Sequence, residues 1–560
     1  MPMKPLRALF TGAALAAACA LGAGSTASAA LPIATATPTT PVRVAVVLPL
    51  TVPATEGSFV GAEALATYTS PTGALTRELD QVIDTPVTLA IDPMLIASIR
   101  KLGTSAPDSA IAWLDRLALA TNETFPLQYA DADLTLALQA GEETVLGTKS
   151  LEFAIDPSLF APASDNPTPA PTGVPEPDTN EAPTLPTSDS LLAWDYTMPD
   201  VAWPVADTVI KADLAKITAS GFTSTILEST NVKQSNSASA AAAVGDTTAF
   251  VSSAPASALL RSAAEAVTGD QWVSAMDELE AALNGFGRTR TDASMVLTLD
   301  RELLITGERL DDTVQSLEAS SASVVVPLST IGEAAPASAT LNSRAQNSAR
   351  VAATESMIAA EQRDIQFSTV AENPALITGD RRLALLESLS SSPSAHPGGF
   401  VESAATFVDD SRTLEGSVRL VKSSEIYLLA DRTSIFASIQ NDLDQPVTVR
   451  LSVRALSPLI RVENSSVEIT VEPSSQKRAQ VPVQSLSNGR VTVEAALSSP
   501  TSVAVGTPTL VRVNVQAGWE GPVTFVLGGL VIVIFALGLY RNLVLRRRPV
   551  KPSPELPRSE

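Results

Sequence analysis

Between residues 43 and 331, short apolar runs alternate with stretches of helical period. The runs that read as strands are 44–48 (VAVVL), 87–91 (VTLAI), 125–129 (FPLQY), 151–155 (LEFAI), 225–227, 249–251, 295–299 (MVLTL) and 323–326. Between them, residues 73–83, 109–120, 207–220 and 272–283 carry apolar positions three and four apart, with charges on the other face. Strands of four to six residues alternating with helices of ten to fifteen imply β-α units and a mainly parallel sheet. The number of units fits an irregular (β/α) barrel-like domain over residues 43–335 better than an open sheet. Two stretches break the pattern. Residues 161–190 are dense in Pro, Thr, Ser and Asp and predict a disordered, extended insertion. Residues 231–246 are rich in Ser and Ala and read as a second soft segment.

Residues 336–415 read as a helical bridge and linker, with apolar spacing of three to four in ARVAATESMIAAEQRDIQ and RRLALLESL. From residue 416 the period changes to two. SVRLV, EIYLL, SIFASIQN, VTVRLSVRA, VEITVEP, KRAQVPVQ, RVTVEAAL and TLVRVNVQ are alternating runs about ten residues apart, separated by turn signals such as Asn488-Gly489. They predict an Ig-like β-sandwich over 416–517, without the cysteine pair of antibody domains.

The two ends carry membrane signals. Lys4 and Arg7 precede an Ala-rich apolar run that ends in Ala27-Ser28-Ala29, so residues 1–29 read as a secretory signal peptide and 30–42 as a flexible leader. Ala16 stands where a lipoprotein signal would place a branched residue before Cys19, which argues against lipidation. Cleavage after Ala29 would leave a mature chain without cysteine, and so without disulfides or thiolate chemistry. Residues 522–540 (PVTFVLGGLVIVIFALGLY) carry no charge and are long enough to cross a hydrocarbon core of about 30 Å. With Trp519 at one edge and Tyr540 at the other, they predict a transmembrane helix over 519–540. Arg541, Arg546, Arg547, Arg548 and Lys551 follow, so residues 541–560 read as a basic cytoplasmic tail and the body as extracytoplasmic, at the cell membrane.

Charge and composition narrow the chemistry. The net charge is −22 although the tail is basic, so the body is strongly acidic and unsuited to nucleic acid. The chain has one histidine, His396, in the Ser/Pro/Gly-rich stretch SSSPSAHPGGF that reads as a linker. One histidine excludes a multi-histidine zinc site and leaves no sensible Ser-His-Asp triad. No phosphate-binding loop, dinucleotide fingerprint or HExxH is present, and no cofactor is expected.

Acidic residues recur where strands should end: Asp92, Asp131 and Asp133, Asp156, Glu228 and Asp300. In a β/α barrel those ends face the site, and two carboxylates suitably spaced hydrolyse a glycosidic bond without histidine. The structural reading of the same residues is helix capping. Asp92-Pro93 and Asp156-Pro157 look like an N-cap with Pro at the first helical position, Asp131 or Asp133 precedes DLTLAL, and Asp300 precedes RELLI.

Several phrases together mark a family: VAVVLPL, SPTGALTRELDQVIDTPVTLAIDPMLIASI, YADADLTLAL, AWPVADTVIKADLAKITASGFTSTIL, and the closing NDLDQPVTVRLSV, SNGRVTVEAAL and RVNVQAGWEGPVTFVLGG. In these the chain resembles an uncharacterised family of actinobacterial membrane-anchored envelope proteins, whose gene commonly neighbours that of the lipid II flippase. The resemblance spans most of the mature chain and implies the same layout of signal peptide, barrel-like domain, Ig-like domain, single anchor and basic tail. It implies no particular activity and transfers no functional residue. Many members are longer, with extra sequence before or within the barrel.

Taken together, the expectation is a non-catalytic, membrane-tethered extracytoplasmic protein that supports cell-wall (peptidoglycan) assembly by binding glycan or a membrane partner such as a flippase-type protein. The alternative is a carboxylate-dependent glycan hydrolase on the β/α barrel, independent of metal. Asp92, Asp131, Asp133, Glu228 and Asp300 are its candidate residues.

Overall fold

The computed structural model describes residues 40–160, 185–234, 238–288, 290, 292–301, 309–422, 425–516 and 520–546. The signal peptide with Cys19, most of the leader, residues 161–184 of the insertion, Trp519 and the tail beyond residue 546 lie outside them.

The chain enters the sheet at β1 (Val42–Leu50), every residue of which but Arg43 is buried. A strand covered on both faces needs such a continuous apolar run, and β1 supplies it. Around it are β2 (Thr88–Ile91), β3 (Thr124–Pro126), β4 (Val201–Ala202), β5 (Ser224–Glu228), β6 (Val232–Gln234), β7 (Ala241–Val244), β8 (Thr247–Ser252), β9 (Ser294–Thr298), β10 (Ser323–Val325) and β11 (Ala337–Leu341). The parallel order is β3-β2-β1-β9-β8-β5-β4. β10 also runs parallel to β1, along residues 42–44, before β2 begins to pair. The sheet curls. At its β3 edge, the Met198 N–H donates to the Thr124 carbonyl at 2.9 Å, three residues before β4 opens the other edge. The C-terminal ends of these strands therefore gather around one mouth.

The structure departs from the sequence expectations at several points. Residues 151–155 are not a strand. Glu152–Ala154 form a short 3-10 turn laid against the helix Pro374–Ser388. There Gly379 lets the Ser150 carbonyl approach so closely that an added Cβ would sit 2.0 Å from it. The run 125–129 pairs only as far as Pro126, after which the chain turns through Ala130 and Asp131, both at positive φ. The helix expected from residue 207 begins at Lys211, because Asp207 has φ +61°.

The soft segment expected over 231–246 is corrected at its described residues, 231–234 and 238–246, most of which are strand. β7 and β8 form a hairpin whose two-residue turn, Gly245-Asp246, uses the positive φ that glycine tolerates, and β6 pairs with β11. Within the expected insertion, Thr187 and Ser190 form a reciprocal capping box that starts the helix Ser188–Leu192.

The expected bridge is also corrected. β11 belongs to the sheet, parallel to β7. The helices Ser348–Phe367, Pro374–Ser388 and Phe400–Glu415 bury Met357, Leu383, Leu386 and Phe407 in the same apolar core as β1 and β2. The Arg381 guanidinium pins the three together. It donates to Asp364 at 2.8 Å and to the Phe407 carbonyl at 2.9 Å.

Beyond them stands a β-sandwich. One sheet contains β12 (Val418–Val421), β14 (Arg432–Asn441), β16 (Ile460–Val462) and β18 (Ser475–Ser485); the other contains β13 (Ile426–Leu428), β15 (Val447–Ala455), β17 (Ser466–Val471), β19 (Gly489–Ser498) and β20 (Ala504–Val515). Alternation fills its core, as with Val447, Val449, Leu451 and Val453 of β15. The last element is the helix Glu520–Leu545, which runs five residues past the expected end at Tyr540. Its stretch Val523–Leu545 has mean hydropathy 2.5, is not buried in the protein, and is long enough to cross a membrane.

Candidate functional site

Asp92 follows β2 and is fully buried. Its Oδ1 caps the helix Pro93–Lys101, accepting from the Met94 N–H at 2.8 Å, and accepts a second bond from the Ala130 N–H at 3.0 Å. Its Oδ2 has no partner among the described residues. Burial pushes the carboxyl up to about 7, against the pull of those two N–H groups and of the Arg301 charge.

Asp133, also buried, caps the helix Leu134–Gln139 through the Thr135 N–H. It accepts further bonds from the Thr135 hydroxyl at 2.7 Å and the Gln346 amide at 2.5 Å. Burial raises its carboxyl too. Asp156 is exposed. It accepts from Ser158 N–H and Oγ, and those bonds hold it below the usual carboxylate range.

Asp131 caps nothing. It turns inward from its left-handed backbone and forms an ion pair with Arg301, while the Ser391 hydroxyl donates to its other oxygen. Arg301 follows β9 and reaches across the mouth of the sheet. Its Nη2 donates to the Trp203 carbonyl at 2.8 Å, and its guanidinium lies 4.8 Å from the centre of the Trp203 ring. Its own carbonyl accepts from the Thr51 hydroxyl at 2.9 Å. Desolvation lowers the guanidinium to about 10, so it stays cationic at neutral pH.

Two cavities meet at Arg301. The first, of about 300 Å³, lies over the ends of β5, β8 and β9. Glu228, Asp300, Arg261, Trp203, Asn231 and Pro393 are among its walls. The second, of about 450 Å³, is more apolar, with Tyr68, Met94, Pro53, Asp131 and Glu387 in its walls. Of the candidate carboxylates, Glu228 and Asp300 thus share the first cavity and Asp131 borders the second, whereas Asp92 and Asp133 border neither. Glu228 accepts one bond from the Thr230 hydroxyl at 2.7 Å, and Asp300 one from the Arg301 N–H at 2.8 Å. The stretch RELLI that Asp300 was expected to cap lies, beyond Arg301, outside the described residues.

The stretch read as a linker around His396 is part of the site. Ser391 and Pro393 line the first cavity, and Ser392, Ala395 and Pro397 the second. His396 itself is half-buried, with Nδ1 3.2 Å from Ser403 Oγ and Nε2 3.0 Å from the Ser390 carbonyl. No group of three or more His, Cys, Asp or Glu among the described residues is arranged to hold a metal ion.

Residues 26–554 match the model of a family described as "Family of unknown function (DUF6049)". The chain belongs to this family. No curated protein matches the DUF6049 chain. Solved structures overlap a small part of it. Native alpha-2-macroglobulin of Escherichia coli aligns at 18% identity over 18% of the DUF6049 chain and 6% of its own length, with a TM-score of 0.15. WR4, an MSP family member of C. elegans, aligns at 8% identity over 18% of this chain and 98% of its own, with a TM-score of 0.14. The E. coli chaperone DraB aligns at 13% identity over 18% and 55%, also at 0.14. The DUF6049 chain thus spans 6% of the length of that macroglobulin, and these overlaps add nothing to the fold described above.

Proposed function

We propose that this protein is a non-catalytic, membrane-tethered extracytoplasmic binder that supports cell-wall assembly by holding a glycan segment at the mouth of an irregular (β/α) barrel. An Ig-like sandwich would carry that barrel above the anchor. The observation that carries the reading is the first cavity. It sets an indole, two carboxylates and two guanidinium-bearing arginines around about 300 Å³ at the ends of parallel strands, where α/β folds place ligands. Hydroxyl-rich sugars are bound by such a mixture of apolar and polar walls, and the volume falls at the small end of ligand pockets. The basic residues after Tyr540 support an outside-facing body.

A non-catalytic role is favoured by the fate of the carboxylates. Asp131 is held by Arg301 and Ser391, Asp133 is held by Thr135 and Gln346, and each has a partner on both oxygens. Asp92 has the raised affinity for a proton that a general acid needs, yet it faces neither cavity. The second reading, a carboxylate-dependent glycan hydrolase, rests on Glu228 and Asp300 lining one cavity.

A photo-crosslinking side chain at Ala206, in the wall of the first cavity, tests the proposal in living cells. Capture of wall glycan supports it. Capture of membrane protein alone replaces the glycan with a protein partner, and absence of any adduct overturns it.

A further inference from the structure

The sandwich ends in loops that differ sharply between its two ends. At one end, the Glu372 N–H donates to the Pro446 carbonyl and Ala371 bridges Val447, so the loops meet the helical layer. Among the described residues, the loops 442–446, 472–474 and 499–503 at that end expose no large apolar side chain. At the other end β20 finishes, with Val515 in register with Leu428 of β13 and Gly489 of β19. Here Leu429 is 70% exposed and Leu486 43% exposed, each in the loop beside that register point. One residue higher stand Tyr427, 60% exposed, and the exposed Arg490, both opposite Asn514. Leu456, 50% exposed, lies further up the flank, where its N–H donates to the Thr492 carbonyl.

The chain itself says what covers this end. The Gln516 N–H donates to the Leu428 carbonyl, so the strand is still bonded there, and the apolar helix begins at Glu520. Four peptide steps span at most about 14 Å. If the helix crosses a membrane, this end of the sandwich stands against the bilayer surface. The sequence of side chains along the approach is then that of an interfacial anchor, with leucines leading and a tyrosine and an arginine behind them. Charge does not oppose contact. Arg432, Arg461 and Arg490 stand near this end against Asp431, Glu463 and the Glu520 that opens the helix, in a protein whose net charge is −22.

We infer that Leu429 and Leu486 insert into the outer interface of the bilayer, with Tyr427 and Arg490 at headgroup level, so that the sandwich is seated on lipid at a fixed height. This rests on reading the helix Glu520–Leu545 as the membrane anchor. Two leucines add weakly to an anchor already in place. Their effect is orientation, since side chains fixed in the bilayer at loops from both sheets resist tilting of the body.

The test uses the full chain in lipid nanodiscs, on a Cys19→Ser background, with one cysteine carrying an environment-sensitive dye and with brominated lipid as quencher. The labelled positions are Leu429→Cys, Leu486→Cys, Leu456→Cys, Asp444→Cys at the far end, and Leu537→Cys within the helix. The expected result is strong quenching at 537, quenching of about twofold at 429 and 486, less at 456, and none at 444. Quenching at 537 with 429 and 486 no different from 444 overturns this inference alone. An unquenched 537 overturns the anchor and the inference together.

Discussion

Arg301, just past β9, forms an ion pair with Asp131, just past β3, across the mouth of the curled sheet. The two residues lie 170 positions apart in the chain, and their side chains are 14% and 4% exposed. The pair ties two distant strand ends together, and Arg301 is a wall of both cavities.

Replacing Arg301 with Met should leave Asp131 as an uncompensated buried charge. The expected loss is about 3–5 kcal/mol in urea unfolding at pH 7. The double variant R301M/D131N should recover a large part of it, because the stranded charge is gone. A double variant as unstable as the sum of the single changes would show that the pair is not coupled.

Glu78 gives a pH dependence of defined sign. It is buried, neither carboxylate oxygen has a partner among the described residues, and desolvation pushes its carboxyl up to about 8. The native state then keeps a proton that the unfolded chain releases near pH 4.5. Its contribution is fully present below pH 4.5 and is lost as pH rises through 8. Asp92, raised to about 7, acts in the same direction over a narrower window. Glu78→Met should therefore flatten the fall in urea midpoint between pH 5 and pH 9. At pH 9 it should be more stable than the parent by about 3 kcal/mol. An unchanged slope would remove Glu78 as its source.

The sandwich has its own keystone in Asn441, fully buried. Its amide donates to the carbonyls of Gln445 and Glu472, each at 2.9 Å, and its Oδ1 accepts from the Leu443 N–H at 3.0 Å. Asn441→Ala leaves these turn groups unpaired and should cost about 2–3 kcal/mol. Hydrogen exchange should quicken at 442–446 and 472–475 and stay unchanged in β1. Uniform acceleration through both parts would show that they unfold as one unit.

These residues also show what sequence reading reaches. The strands were legible where β1 is apolar from Val44 onward and β9 carries the apolar run Met295–Leu297, and the sandwich where β15 and β19 alternate. β16 was not, because Ile460–Val462 is too short to show a period. The candidate carboxylates were found by their place at strand ends, and Asp92 and Asp133 do cap helices. Arg301 was missed although it adjoins Asp300. Its role depends on Asp131, and no local pattern joins them. The signal available was a cation directly after the strand-end acid in VLTLDR. Ser391 was missed because small polar residues beside proline look alike whether they form a linker or wall a cavity.

Binding of glycan at the first cavity and cleavage of glycan there are separated by one experiment. The deciding measurement incubates the full chain in nanodiscs with end-labelled peptidoglycan strands, following bound strand and new reducing ends together for the parent, Trp203→Ala, Glu228→Gln and Asp300→Asn. The parent should bind saturably, Trp203→Ala should lose about tenfold, the two amide variants should lose less, and no sample should show new reducing ends. New reducing ends from the parent that vanish in both Glu228→Gln and Asp300→Asn, with stability unchanged, would contradict non-catalytic binding and make this cavity the active site of a hydrolase.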